Sequence, residues 1–218
     1  LGAAVMNAKY VNAVPLYRLE KEFERYGLAI TRQNMANWMI RLSEEYLALL
    51  YDYLHKLLYD FHVIQADETP CLVHRDGRPA GAKSYMWVYR SGCMRLEKQI
   101  ILYEYQKTRN AAHPRKFLKD FKGICVTDGY QVYHTLEKER EDLNIAGCWV
   151  HCKRKYADIA KTIGKNGQAS PAQKVALEAV QRITAIFHSD NLCKEKTPQD
   201  KKKKKKNKIL KKILFNNL

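Results

Sequence analysis

No apolar run in this 218-residue chain approaches the ~20 residues that a membrane-spanning helix needs, so a helical membrane protein is excluded. The opening, Leu1-Gly-Ala-Ala-Val-Met6, carries no signal-peptide pattern and reads as the start of a piece cut from a longer protein. Cysteine is sparse: Cys71, Cys93, Cys125, Cys148, Cys152 and Cys193 are scattered along the chain. That spacing argues against a disulfide framework and for reduced thiols in a cytosolic protein. Acids are outnumbered, 23 against 39 basic residues, for a net charge of +16. The excess suits a polyanionic partner, nucleic acid first. It is unevenly spread: residues 194–218 hold 11 Lys, no Arg and two acids, a net +9, and the other 193 residues carry +7.

What is present reads as globular, with 46% hydrophobic and 28% charged residues. The length allows one sizeable domain, or one domain with a small helical one. Its centre is Phe61-His-Val-Ile-Gln-Ala-Asp-Glu-Thr-Pro70. Val63, Gln65 and Asp67 alternate with His62, Ile64 and Ala66, which is strand spacing. A second short apolar strand, Gly123-Ile-Cys-Val-Thr127, leads into Asp128-Gly129. The two aspartates stand 61 positions apart. Carboxylates delivered by buried strands are hard ligands for Mg²⁺ or Mn²⁺. A two-metal site of that kind stabilises the attacking and leaving oxygens of a phosphodiester displacement. The plainer alternative is a turn at Asp128 and a surface acid at Asp67. Glu68, the next residue, is expected on the opposite face.

Upstream, the spacing predicts a helix over 10–26, with Pro15 in its early turns and Gly27 as a left-handed stop. Thr31 is expected to cap a second helix beginning at Arg32. Helix, short glycine turn and capped helix form a helix-turn-helix pattern, with Arg32, Gln33, Asn34 and Asn37 facing bases or phosphates; an ordinary helical hairpin remains the alternative. Residues 43–60 continue as an amphipathic helix with a Leu47, Leu50, Leu54, Leu57, Leu58 and Phe61 stripe, read as core or a dimer seam. His55 beside it is expected to be packed or exposed rather than a ligand.

Downstream, strands are expected at about 61–73, 84–90, 97–105, 123–127 and 144–150. Helices are expected at 113–121, 130–139, 153–163 and from Pro171 onward. Three strands in a meander, then helix, strand, helix, strand, helix, is the order of a ribonuclease-H-like fold. The fold class is α/β (α+β): a mixed sheet with flanking helices, preceded by a helical segment. The expected divisions are 1–60, 61–193 and a Lys-rich, disordered tail at 194–218. Cys148, His151 and Cys152 have the makings of a zinc site, but a closed site needs four ligands. No second Cys/His pair stands at convincing spacing, so zinc is not expected. Lys153, Arg154 and Lys155, placed at a helix start, are candidates for phosphate contacts or a solvated face.

Several ordered motifs carry a resemblance. They are Lys9-Tyr-Val with Val14-Pro-Leu-Tyr-Arg18, Met35-Ala-Asn-Trp38, Ala66-Asp-Glu-Thr-Pro70, Tyr85-Met-Trp-Val-Tyr-Arg90, Thr127-Asp-Gly-Tyr130 with Tyr133, and Gly147-Cys-Trp-Val-His151 with Arg154-Lys-Tyr156. Together they make the chain resemble the DDE transposases of the bacterial insertion-sequence family numbered sixty-six, over residues 8 to about 190. The resemblance implies a core that cuts and rejoins DNA at transposon ends and into a target, with two Mg²⁺ or Mn²⁺ ions in a complete enzyme. It implies self-association and no membrane. Asp67 and Asp128 look like the first two acids of the triad, and Cys148 and His151 like the family's Cys-x-x-His signature. The family's zinc module would precede Leu1. The third acid, a Glu in an Asn-Asn-x-x-Glu-Arg motif, does not occur in this sequence. The likeness fades after Asn191, before the six lysines at 201–206. These are read either as a nucleic-acid-gripping tail or as a slipped reading frame. On this reading the chain holds two of three acids and is inactive alone. The rival expectation is a non-catalytic DNA-binding fragment that occupies transposon ends. A nuclease acting on RNA–DNA hybrids is a third.

Overall fold

The computed structural model describes residues 1–74, 77–79, 81–92, 99–162 and 169–191. The expected tail at 194–218 lies outside the described residues, as does most of the polar loop before Pro171. The chain divides into two compact units, Leu1–Cys125 with Val132–Asn144, and Val126–Gln131 with Ile145–Leu218.

The first unit opens with three helices, α1 (Gly2–Tyr10), α2 (Leu16–Arg25) and α3 (Arg32–Leu42). The single helix expected over 10–26 is therefore corrected. Proline has no N–H to donate and disfavours helical geometry in the residue before it. Pro15 accordingly stands at the N-cap of α2, and Val11 and Val14 fall outside helix. The end of α2 is as expected. Gly27 has φ +76°, and the Gly27 and Leu28 amides donate to the Glu24 and Phe23 carbonyls at 3.0 and 2.9 Å. This is a Schellman stop, which needs a residue at ease in the left-handed region. Thr31 Oγ1 accepts from the Asn34 amide at 3.2 Å, capping α3. Val5, Leu19, Met35 and Met39 form the buried centre of these helices, flanked by Met6, Phe23, Ile30 and Trp38.

A π turn, Ser43–Leu47, joins α3 to α4 (Ala48–Leu58). The leucine stripe expected to be core or seam is graded along its length: Leu47 and Leu50 are exposed, Leu54, Leu57 and Phe61 are half-buried, and Leu58 is fully buried. His55 is packed, stacked on Phe117 at 3.9 Å between ring centroids.

Three antiparallel strands follow, β1 (Val63–Leu72), β2 (Lys83–Ser91) and β3 (Ile101–Gln106). The third strand begins later than expected: Ile100 lies outside it, and residues 97–98 fall outside the described set. Next come α5 (Ala112–Phe117), β4 (Gly123–Thr127), α6 (Gln131–Glu139) and β5 (Leu143–Gly147). Helix α5 ends short of the expected 121, although Phe117, Leu118 and Phe121 are all buried as that reading required. The sheet order is β3-β2-β1-β4-β5.

On the buried face, Ile64, Ala66 and Glu68 of β1 stand opposite Ser91, Tyr89 and Trp87 of β2. Tyr89 stacks on Phe117 with centroids 3.5 Å apart and planes 6° apart. The other face carries Asp67, Tyr103 and Tyr105, all exposed.

In the second unit, α7 (Trp149–Lys161) and α8 (Pro171–Asn191) pack together. Ser170 and Gln173 cap α8 reciprocally, with amide-to-side-chain bonds of 2.8 and 3.3 Å. This is a capping box. The strand expected over 144–150 is corrected. Cys148, extended at φ −74° and ψ 116°, is the N-cap of α7, and Trp149 and Val150 are exposed in its first turn. Their β-prone composition reads as strand, but a helix start is set by which amides find partners. The Cys152 amide donates to the Cys148 carbonyl at 3.0 Å. Lys153, Arg154 and Lys155 therefore sit inside α7 rather than at its start.

Candidate functional site

Period-two alternation along β1 puts Asp67 and Glu68 on opposite faces. Asp67, paired with Val88 in the ladder, is exposed, and its Oδ1 accepts from the Glu68 amide at 3.0 Å. Glu68 is its reverse, with a side chain 0% exposed. Arg109 Nε donates to Glu68 Oε1 at 2.8 Å, and the Arg109 Nη2 donates to the same oxygen. Tyr133 Oη donates to Glu68 Oε2 at 3.2 Å. Burial pushes the Tyr133 phenol far above the usual tyrosine range, so it is a standing donor. A buried carboxylate with charged and neutral donors on both oxygens is satisfied in place. Glu68 thus anchors β1 beneath the strand's exposed acid.

In the second unit, Asp128 follows β4. Its Oδ1 accepts from the Tyr130 amide at 2.9 Å, an Asx turn, and Thr127 Oγ1 donates to the Asp128 carbonyl at 2.8 Å. The Cys148 amide donates to the Thr127 carbonyl at 2.7 Å, so α7 starts at the end of β4. His151 lies in the first turn of α7, half-buried like Cys148. Lys155 reaches back along α7: a Cβ added at Gly129 would come 3.9 Å from its Nζ. Among the described residues, no group of three or more His, Cys, Asp or Glu is assembled to hold a metal ion. Cys71, Cys125, Cys148 and Cys152 are free thiols, and burial pushes Cys125 up to about 12.

The third set lies on α3. Arg32, Gln33, Asn34 and Asn37 are all exposed; Gln33, Asn34 and Asn37 lie away from the face that buries Met35 and Met39, and Arg32 stands in the first turn. Gln33 Nε2 donates to Asn37 Oδ1 at 3.1 Å, and the Arg32 guanidinium lies 5.9 Å from the Tyr17 ring centre. The sequence reading set these four residues toward bases or phosphates, and all four are open to solvent. It gave no role to Arg109, which stands in a loop with no local pattern to mark it, nor to Lys155 individually.

Three antiparallel strands extended by two more into a mixed sheet, with helices after β3, β4 and β5, define a ribonuclease-H-like α/β protein. The model of the family described as Transposase IS66 family matches residues 1–217. The chain belongs to that family. Uncharacterized protein y4qI of Sinorhizobium fredii (strain NBRC 101917 / NGR234) is 30% identical over 190 residues, 83% of this chain and 35% of the relative. Uncharacterized protein y4jD of the same organism is 25% identical over 209 residues, 92% of this chain and 39% of the relative. The chain thus spans between about a third and two-fifths of the length of these relatives. A chain of the simian T-cell lymphotropic virus intasome, solved in complex with PP2A regulatory subunit B56 gamma, is 13% identical. That match covers 53% of this chain and 46% of the other, and its TM-score of 0.29 is too low to bear on the fold. No described helix is long and apolar enough to cross a membrane.

Proposed function

We propose that the chain acts in DNA transposition, as part of an enzyme that cuts and joins transposon ends. Asp67 and Asp128 are the carboxylates that hold its divalent ions. The reading is supported by the family match together with one observation in each unit: Asp67 stands exposed on β1, and Asp128 is held in an Asx turn just after β4. Carboxylate oxygens are the donors Mg²⁺ and Mn²⁺ prefer, and Mg²⁺ commonly completes its shell with water and substrate phosphate. Each of these carboxylates therefore suits such an ion without a closed protein cage. Bound there, the metal supplies Lewis-acid activation of the attacking oxygen and charge stabilisation of the leaving one.

The chain's own residues do the rest. The Glu68 clamp with Arg109 and Tyr133 holds β1 so that Asp67 stays presented on the exposed face. The Asx turn fixes Asp128. Arg32, Gln33, Asn34 and Asn37 offer a polar helix face to DNA, as in the second helix of a helix-turn-helix. Two ions, self-association and a role for Cys148 and His151 beside the acids belong to the same proposal. With no Asn-Asn-x-x-Glu-Arg motif in the sequence, the chain alone is expected not to complete strand transfer.

The test is Mn²⁺ binding by electron paramagnetic resonance, read on the wild type, Asp67→Asn and Asp128→Asn. Weakened binding in both variants supports the reading, and unchanged binding in both overturns it. The second reading, a DNA-binding fragment without chemistry, is favoured by the separate core beneath α3's polar face. It predicts duplex binding that Arg32→Ala weakens and that neither aspartate variant affects.

A further inference from the structure

The basic run 153–155 is not uniform. The α-helix advances about 100° per residue, so Lys155, seven positions beyond Cys148 and four beyond His151, returns to nearly the face those residues occupy. The anchored start of α7 at the Thr127 carbonyl fixes where that face lies. Lys155 uses it: its Nζ lies 3.9 Å from the position of a Cβ on Gly129, beside the Asp128 turn. Lys153 and Arg154 leave the helix in other directions. Lys155 is exposed and forms no ion pair among the described residues, whereas Lys161 on the same helix pairs with Asp158 at 3.1 Å.

We infer that Lys155 is a DNA contact, donating to a phosphate oxygen of the strand that Asp128 works on. The inference rests on the proposed role of Asp128 and adds a substrate-binding residue to it. A phosphodiester brought to a carboxylate meets like-charge repulsion. A cation beside the same turn offsets it, and an ammonium is a compact point charge with three donors suited to phosphate. Beside Gly129, Lys155 Nζ is the one described atom within 4 Å of an added Cβ, so the flank of the Asp128 turn is open.

The experiment is fluorescence anisotropy of the full chain on a random-sequence duplex in metal-free buffer, with salt varied from about 50 to 200 mM. Each phosphate contact adds roughly one unit to the slope of log affinity on log salt. Lys155→Ala is expected to reduce the slope by about one, Lys155→Arg to restore it, and Lys161→Ala to leave it unchanged. Asp128→Asn is expected to tighten binding, and to do so non-additively with Lys155→Ala because both act on one phosphate. An unchanged slope in Lys155→Ala overturns the inference. So does an equal loss in Lys161→Ala, which would show a general charge effect, or strict additivity, which would put the phosphate elsewhere. If the slope falls as expected while Asp128→Asn leaves Mn²⁺ binding intact, the metal role fails and the contact stands. Absence of salt-dependent binding by the wild type overturns both.

Discussion

Replacing Arg109 with methionine keeps most of the side chain's stem and removes its charge, leaving Glu68 without its charged partner. The Glu68 carboxylate is 0% exposed and receives two bonds from the guanidinium, and Tyr133 is a further donor to it. Breaking a buried pair from one side costs about 3–5 kcal/mol, because a charge is left buried and uncompensated. The Arg109 side chain is 37% exposed, so solvent already screens part of the attraction. The expected loss is about 2–3 kcal/mol. Adding Glu68→Gln removes the stranded charge, so the double variant is expected to recover about half of that. Tyr133→Phe, which deletes one neutral donor, is expected to cost about 1 kcal/mol. The assay is urea unfolding, read as a shift in midpoint at constant slope. A coupling below about 0.5 kcal/mol between positions 68 and 109, or a double variant no better than Arg109→Met, would refute the clamp.

Three further outcomes follow from other parts of the structure. Gly123 has φ +142°, and a Cβ there would sit 2.5 Å from the His62 carbonyl oxygen. Gly123→Ala is therefore expected to cost at least about 2 kcal/mol, measured by thermal unfolding, and a near-neutral alanine would show that β4 tolerates a shift. Thr31→Ala removes the α3 cap and is expected to cost about 1 kcal/mol, whereas Thr31→Ser restores most of it. Burial pushes Tyr51 and Tyr59 up to about 12 from an ordinary 10.0, and Cys125 up to about 12 from 9.0. Raised folded-state values favour the protonated fold. This contribution is complete below about pH 9 and is lost as pH rises toward 12. Tyrosinate absorbance should rise in two phases, the later one coinciding with unfolding; a single transition near pH 10 in a still-folded protein would contradict it.

Local rules made some of this structure legible and missed the rest for identifiable reasons. The period of β1 was enough to separate Asp67 from Glu68, because a strand leaves no choice of face. Gly27 and Thr31 announced the α2–α3 turn, because each satisfies backbone groups that helix ends leave over. Pro15 was visible but misjudged: its cost to a helix outweighs the apolar spacing of Val11 and Val14. The run Cys148-Trp-Val suits strand or helix alike; the Cys152 amide closes the first turn on the Cys148 carbonyl, and the Cys148 amide is taken up by the Thr127 carbonyl, 21 positions away, which spacing does not reveal. Arg109 lies 41 positions from the carboxylate it holds, a distance over which spacing carries no information. The family motifs pointed to Asp67 and Asp128 as acids, while their chemical role rests on the metal-binding test.

The π turn at Ser43–Leu47 sets the phase of everything after it. Met39 and Leu58, both buried, lie 19 residues apart. An uninterrupted α-helix would rotate them about 100° out of line. A π turn takes up one extra residue, which returns about that angle. The inward side that serves the three-helix cluster is thereby brought back into step with the one that carries Leu58. A deletion of one residue anywhere in 43–47 would straighten the helix and shorten it by only about 1.5 Å. It would leave 18 residues of regular helix between Met39 and Leu58, a whole number of turns, so the polar face of α3 would keep its aim relative to α4, whereas regular α-helix over the present length would turn it about a quarter of the way around.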